Sequence, residues 1–115
     1  MQFDRYTITL LMLNPAGPSL DDEAAAALQD AHMSHLADLH AASHLLVAGP
    51  LFDDHYRGLS ILGLEPDRAL ALENEDPAVQ AGVYTIKAIP WLVPGGAMSF
   101  TPARFPRSIA EAEAG

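Results

Sequence analysis

The stretch AAAALQDAHMSHLADLHAASHLLVAGP, residues 24–50, decides the fold because it joins a long helix to a short apolar strand. On a helical wheel at about 100° per residue, His32 and His35 fall in the middle of an apolar arc, between Leu28 and Leu39. The opposite side of the wheel carries Gln29, Asp30, Ser34 and Ala37. A polar group aimed at a core needs a hydrogen-bond partner or it costs free energy. The two imidazoles are therefore either satisfied core groups or groups that carry out chemistry.

The composition narrows the classes of function. Hydrophobic residues make up 50% of the 115-residue chain, yet no apolar run reaches the length of a membrane-spanning helix. Cysteine is absent, which excludes disulfides and thiolate metal sites. A formal net charge of −9 with only 6 basic residues argues against nucleic-acid and membrane partners. Because the first residues also lack the pattern of a signal peptide, we expect one folded domain in the cytoplasm.

Apolar segments and helical segments alternate along the chain. Strands are predicted at residues 6–13, 44–49, 58–64 and 83–89, where β-branched and large apolar residues cluster between Gly and Pro breaks. Helices are predicted from a cap at Ser19 or Asp21 to about residue 42 and over 68–74, with a short helical turn over 76–82. This order predicts an α+β, ferredoxin-like βαββαβ fold with an antiparallel four-stranded sheet and two helices on one face.

The first strand, YTITLLML at residues 6–13, becomes apolar on both sides, as in a strand that is buried on both faces. Two helices cannot cover both faces of a four-stranded sheet, so we expect a homodimer that forms through the sheet faces. Residues 93–115 form a C-terminal extension to the domain of residues 1–92. We expect Phe100 or Phe105 to pack on the partner subunit or over the mouth of the pocket, and a flexible tail is the alternative.

Several motifs, taken in order, resemble the YCII-related (YciI-like) family. They are His32-Met33-Ser34-His35-Leu36, Ala48-Gly49-Pro50, Asp76-Pro77, Gly82 and Pro90-Trp91, and the resemblance covers residues 6–92. It implies a dimeric α+β barrel in which two ferredoxin-like sheets pack face to face. It also implies an active site built on a histidine and an aspartate, which match His32 and Asp76 here. A branch similar to this family removes hydrogen chloride from a chlorinated aromatic breakdown product, and similar barrels isomerise lactones.

Three features depart from the family pattern. His35 stands where the family often has tyrosine, and Ser43 stands where it usually has the glycine before the second strand. The loop after Pro50 carries His55-Tyr56-Arg57 instead of a short Asp-Gly turn. These departures keep the pair of histidine and aspartate intact and leave the substrate open.

His32 is the strongest candidate for chemistry, because the unperturbed pKa of histidine, about 6.5, suits proton transfer near neutral pH. A neighbouring carboxylate could fix the tautomer of the ring and stabilise the imidazolium, and Asp76 could supply it. Each residue also has a simpler interpretation. His32 could be a satisfied core histidine, and Asp76 could be only the N-cap that precedes Pro77 in a helix start.

The remaining candidates are binding residues. Substrate binding is predicted at His35, Gly49, Pro50, Tyr56, Arg57 and Trp91. The alternative is that none of them binds substrate. Gly49-Pro50 would then form a plain turn, Tyr56 and Arg57 would lie in a solvated loop, and Trp91 would fill space at the edge of the sheet. His32 and His35 are spaced i, i+3 and could share a metal ion, but no second cluster of ligands has suitable spacing. We therefore predict no metal and no cofactor.

Two functions are compatible with these residues. The first is a small cofactor-independent enzyme of isomerase or lyase type, in which His32 and Asp76 transfer a proton on a small cyclic or aromatic-derived metabolite. The second is a non-catalytic small-molecule-binding or assembly module with structural histidines. The two hypotheses differ in whether His32 contacts Asp76 and faces a cavity.

Overall fold

The computed structural model describes residues 1–115 and contains one four-stranded sheet. Its strands are β1 (Phe3–Leu13), β2 (Leu45–Pro50), β3 (Tyr56–Leu62) and β4 (Tyr84–Pro94). The helices are α1 (Asp22–Ala41), α2 (Pro66–Glu73), α3 (Pro77–Gln80) and α4 (Ile109–Glu113). Every strand pair is antiparallel and the strand order is β2-β3-β1-β4, which confirms the predicted ferredoxin-like α+β fold.

β1 lies inside the sheet and gives its two faces different characters. Thr7 and Thr9 are buried on the face that α1 and α2 cover. Ile8 points to the other side, because successive side chains of a strand alternate, and it lies opposite Ile61 and Ile89 in the register. We call this second side the open face, since helices α1 to α3 leave it uncovered within the single chain.

The two ends of α1 have different causes. At the start, the carboxylate of Asp21 caps the helix by accepting the backbone N–H of Ala24 at 2.8 Å. At the end, Ser43 adopts a positive φ of 65°, and the chain turns there into β2. This left-handed conformation costs a serine more than it costs a glycine.

β4 is longer than predicted. It continues through Pro90 to Pro94 rather than ending at residue 89. Pro90 lies opposite Thr7 in the ladder with β1. A proline cannot donate a ladder hydrogen bond, but β4 is at the edge of the sheet and needs partners on one side only.

β3 begins earlier than predicted, at Tyr56 rather than at residue 58. The preceding turn is closed by Asp53, whose carboxylate accepts the backbone N–H groups of Tyr56 at 2.8 Å and His55 at 2.9 Å. These two hydrogen bonds, with that from Tyr56 first, lower the pKa of Asp53 below its ordinary value. The bend ends at His55, so Tyr56 already pairs with Met12 of β1.

The core lies between the sheet and the two longer helices. Its buried centre contains Leu39 of α1, Leu45 of β2, Leu62 of β3 and Ala69 of α2, so each of these elements contributes one residue. None of the helices combines the length and the apolar character that crossing a membrane requires.

Residues 95–115, the part of the C-terminal extension that follows β4, are folded against the rest of the chain. Gly95 donates its backbone N–H to the carbonyl of Gln2 at 2.9 Å directly after β4. The ring of Phe100 then packs edge-on against Tyr6, with 5.5 Å between the ring centroids. Farther on, Phe105 stacks on the ring of His40 at 4.1 Å. The extension therefore runs from the edge strand β4 to the outer side of α1.

Polar contacts hold the last part of the extension on α1. Arg107 donates to the carboxylate of Asp38 at 2.8 Å, and the backbone N–H of Ile109 donates to the carboxylate of Asp30 at 2.8 Å. The wheel placed Ala37 on the solvent side, and this placement is wrong. Ala37 is only 5% exposed, because the extension packs beside it.

The packing of Phe105 leads to a stability prediction. Phe105 is half-buried against the core, whereas Phe52 is fully exposed in the loop after β2. We expect Phe105→Ala to lower the free energy of unfolding by about 2 kcal/mol, less than the ~3–5 kcal/mol typical of a fully buried phenylalanine. Phe52→Ala should change it by less than about 0.5 kcal/mol. Urea unfolding of both variants measures the difference, and equal effects would show that the extension does not pack on the core.

Candidate functional site

A buried carboxylate connects two distant parts of the chain. Asp76 is fully buried and caps α3, where its Oδ1 accepts the backbone N–H of Ala78 at 2.9 Å. Its Oδ2 lies 2.5 Å from Nδ1 of His32 on α1. Because the two oxygens face different donors, one carboxylate caps a helix and contacts the histidine at the same time.

The contact with Asp76 fixes the orientation of His32. A carboxylate only accepts hydrogen bonds, so Nδ1 carries a proton and Nε2 is the acceptor whenever the ring is neutral. Nε2 makes no hydrogen bond within the chain, while no buried side-chain nitrogen or oxygen is left without a partner. Since 12% of the His32 side chain is exposed, Nε2 is open to the space beside α1.

This space is a cavity of about 540 Å³ between α1 and the helix-covered face of the sheet. His32 and Leu36 line it from α1, and Leu11, Tyr84 and Ile86 line it from β1 and β4. The volume lies within the range of small-molecule sites, roughly 300–1,000 Å³. The walls are largely apolar, with a few polar groups, which is the usual chemistry of a pocket that encloses a small organic molecule.

A second carboxylate, that of Glu73 at the end of α2, lines the same cavity. Glu73 is only 2% exposed, and its Oε1 accepts the hydroxyl of Thr9 at 3.2 Å. No lysine or arginine forms an ion pair with it.

Burial determines the proton affinity of Glu73. It raises the pKa of Glu73 from 4.5 to about 7, whereas the hydroxyl of Thr9 lowers it, the charge of Asp76 raises it and that of His32 lowers it. The cavity thus contains an imidazole held by a carboxylate, and a separate carboxyl group that gains or loses a proton near neutral pH. Such a set of groups can accept a proton from a bound molecule and return it.

A family model described as the YCII-related domain matches residues 8–91 of the chain. The chain belongs to the YCII-related family. The match agrees with the motif resemblance in the sequence and covers His32, Asp76 and the sheet side of the cavity. The residues beyond 91, which include the whole C-terminal extension, lie outside the matched range. No curated protein sequence matches this YCII-related chain.

Three predicted binding residues of the YCII-related domain share the cavity with His32. They are Gly49 and Pro50 at the end of β2 and Arg57 near the start of β3. Arg57 is exposed at the cavity, and its Nε donates to the backbone carbonyl of Asp54 at 3.1 Å. Asp76 stands behind His32 and contacts the imidazole rather than the cavity itself.

The other three predicted binding residues lie elsewhere. His35 donates from Nε2 to the backbone carbonyl of Leu72 at 3.1 Å and is absent from the cavity wall. Tyr56 is exposed and packs edge-on against the ring of His55 at 4.7 Å. Trp91 lines a separate groove beside the first half of β1. The structure therefore brings together only part of the predicted set.

The spacing of His32 and His35 would allow a shared metal ion only if their free ring nitrogens pointed to one place. His32 directs Nδ1 to Asp76, and His35 directs Nε2 to a backbone carbonyl. No group of three or more His, Cys, Asp or Glu side chains in the chain is placed to hold a metal ion. The histidines of α1 are thus engaged with separate protein groups.

The C-terminal extension completes the wall of the cavity. Phe105, Pro106 and Ala112 line it, on the side that the matched YCII-related domain does not cover. Phe105 thus lies at the cavity, whereas Phe100 packs on Tyr6. His40 supports this arrangement by stacking on Phe105.

Glu73 and its partner Thr9 are not among the site residues predicted from the sequence. Glu73 follows Ala69 by four residues, and Ala69 is completely buried. An i, i+4 spacing places both on one side of α2, so the apolar face of this helix contains an acidic residue. That spacing could have identified Glu73, although α2 has only 8 residues and so defines only a short apolar face.

The pKa of Glu73 predicts a pH-dependent stability. Because its pKa is raised from 4.5 to about 7 in the folded chain, the folded state binds the proton more tightly than the unfolded state does. The resulting stabilisation is complete below pH 4.5 and is lost as the pH rises through about 7. We expect the free energy of unfolding of the parent to fall between pH 5 and pH 8 by on the order of 2 kcal/mol more than that of Glu73→Gln.

Urea unfolding at the two pH values measures this difference. Glu75→Gln is the matched control, because Glu75 is an exposed glutamate two positions away on the same segment. Its pH dependence should follow that of the parent. If Glu73→Gln also follows the parent, Glu73 does not hold its proton more tightly in the folded state.

Proposed function

We propose that this YCII-related protein is a cofactor-independent enzyme of isomerase or lyase type, acting on a small cyclic or aromatic-derived metabolite. In this proposal His32 is the acid/base group and Asp76 is a positioning residue. The observation that carries it is the hydrogen bond between His32 Nδ1 and the buried Asp76, with Nε2 open to a cavity. A histidine that only satisfied a core would need neither a carboxylate partner nor a ring nitrogen that faces a cavity.

The chemistry needs only groups of this chain. Nε2 of His32 accepts a proton from a carbon of the bound molecule, and the electron pair of that C–H bond forms a double bond to the neighbouring atom. A bond of that atom breaks at the same time: a π bond in an isomerisation, or the bond to a leaving group in an elimination. The imidazolium is stabilised by the negative charge of Asp76 at 2.5 Å. In an isomerisation the proton then returns to a different atom of the substrate. In an elimination the leaving group takes the electron pair of its own bond to carbon and departs as an anion.

The alternative is a non-catalytic binding or assembly module with structural histidines. Two other histidines of α1 have structural contacts, as this alternative requires. His35 is hydrogen-bonded to the carbonyl of Leu72, and His40 is hydrogen-bonded to the carbonyl of Leu45 at 2.7 Å. Backbone carbonyls are typical partners of structural imidazoles. His32 differs from both, since its partner is a carboxylate and it lines the cavity, where its second nitrogen has no partner in the chain.

Exchange of carbon-bound hydrogen tests the role of His32. The parent is incubated in D₂O with a panel of small cyclic ketones and lactones, and the reaction is monitored by ¹H NMR. We expect deuterium incorporation, rearrangement or elimination in at least one member of the panel. His32→Gln and Asp76→Asn should each slow that reaction about 10²-fold or more. Asn retains an oxygen for the N–H of Ala78, so the cap of α3 should persist.

His35→Gln is the matched control for this experiment. It changes a histidine one turn away on the same helix, and the glutamine amide can still donate to the carbonyl of Leu72. The control should keep the rate of the parent. The binding-module hypothesis predicts another pattern, in which the His32 and Asp76 variants lose stability while their folded fraction binds ligand as the parent does.

We also propose that two copies pair through their open faces. Ile8, Ile61 and Ile89 form an aligned apolar row there, and the neighbouring Val47 is 42% exposed. A second copy carries the same row, so a two-fold axis can bury both rows against each other. This pairing would leave the cavity on the opposite side of each sheet.

Light scattering tests the pairing. We expect the parent at micromolar concentration to have twice the 12.3 kDa mass of one chain. Ile61→Glu should shift the mass to that of one chain, because a charge in an apolar interface is costly. Phe52→Glu, in an exposed loop, should leave the mass unchanged. A parent that scatters as a single chain would exclude the dimer.

A further inference from the structure

Glu73 is a buried acidic group that the proposed role of His32 does not use. Its Oε1 accepts the hydroxyl of Thr9, which leaves Oε2 without a hydrogen bond inside the chain. Because no buried side-chain oxygen lacks a partner, Oε2 is not enclosed by protein atoms. Glu73 lines the cavity and is 2% exposed, so the surface that Oε2 reaches is the cavity.

The charges around Glu73 favour its neutral form. The titratable and charged groups that face it or share its cavity come from four elements: His32 of α1, Asp76 before α3, Arg57 of β3 and Tyr84 of β4. Asp76 already forms a short hydrogen bond with His32, so the imidazole is not available to Glu73 through Nδ1. Arg57 is exposed and bound to a loop carbonyl. A buried carboxyl with no cation beside it holds its proton at a pH where an exposed glutamate would be charged.

We propose that Glu73 is a second proton-transferring residue of this cavity, which donates from Oε2 to the carbonyl oxygen of a bound substrate. The inference rests on the proposed function, in which His32 removes a proton from the neighbouring carbon. It names the substrate class as a small enolisable carbonyl compound, with an acidic C–H bond next to its C=O group.

The step balances with the groups present. His32 Nε2 takes the proton from the α-carbon, and the electron pair of the C–H bond forms a C=C bond. The π pair of the carbonyl takes the proton from Glu73 Oε2, which leaves an enol, a glutamate and an imidazolium. In a substrate that carries a β,γ double bond, the second half re-forms the C=O group as Glu73 takes back the O–H proton. The enol π pair becomes the α,β double bond, and the β,γ π pair takes the proton of the imidazolium at the γ-carbon. The double bond has then moved, and both residues have returned to their starting states.

The hydroxyl of Thr9 gives the two oxygens of Glu73 separate tasks. Since Thr9 donates to Oε1, that oxygen has the role of the carbonyl oxygen of the acid, and the transferable proton is placed on Oε2. Loss of this hydrogen bond raises the pKa of Glu73, because the bond stabilises the charged form. Thr9 is thus a positioning residue whose replacement has a predictable sign.

Cyclohex-3-en-1-one is a suitable probe, because its isomerisation to the conjugated cyclohex-2-en-1-one follows this step and increases ultraviolet absorbance. We expect the parent to accelerate the conversion, with kcat/KM falling as the pH rises through about 7, where Glu73 loses its proton. Glu73→Gln should lower kcat about 10²-fold with little change in KM, and the fall of kcat/KM at high pH should disappear from its pH profile. Thr9→Val should keep this fall in kcat/KM and move it to higher pH.

Controls separate this inference from the proposed function. Glu75→Gln should behave as the parent. A Glu73→Gln variant with the rate and pH profile of the parent, beside an inactive His32→Gln, would overturn the role of Glu73 and support that of His32. If the parent does not accelerate the reaction of the probe, the proposed substrate class is overturned. The role of His32 is then still tested by the panel of ketones and lactones. If Glu73→Gln does not fold, the carboxyl resonances of ¹³C-labelled glutamate in the parent provide the test. The proposal is overturned if none of these resonances titrates near pH 7.

Discussion

The hydrogen bond between His32 and Asp76 is the contact on which the rest of the site depends. It joins the middle of α1 to the start of α3, two points that are 44 positions apart in the chain. A fully buried carboxylate must be compensated, and Asp76 is compensated by one backbone N–H and one imidazole. Removal of either donor would leave part of a buried charge unsatisfied, so the same contact constrains both the packing and the histidine.

The fold could be predicted from the sequence because its largest elements have clear patterns. The apolar run of β1, the capped α1 and the order of segments were sufficient for the ferredoxin-like topology. The boundaries that differed depend on tertiary position. A proline would end a strand in the interior of a sheet, but Pro90 is tolerated because β4 is an edge strand. The position of a strand in the sheet cannot be predicted from the local sequence. Ala37 likewise faces solvent on a wheel and is buried only because residues 95–115 return to α1.

The candidate site was predictable where one residue stands out from its pattern. His32 interrupts an apolar arc, and Asp76 precedes a proline at a helix start, so both were identified without coordinates. Glu73 belongs to a helix too short to define an arc, and its importance comes from the burial that β1 and α1 impose. His35 satisfies the same wheel criterion as His32, yet it meets a backbone carbonyl. A wheel gives the direction of a side chain, while its partner comes from a distant segment.

The two carboxylates of the site show why the partner matters more than the residue type. Asp76 and Glu73 are both almost completely buried and are three positions apart. Asp76 receives two N–H donors, which suit a carboxylate, whereas Glu73 receives one hydroxyl and keeps an oxygen free toward the cavity. Burial therefore raises the pKa of Glu73 to about 7, close to the pH at which an imidazole also titrates. Groups whose environments differ in this way can divide acid and base roles between them. In this chain Asp76 would hold the base in position, and Glu73 would supply the acid.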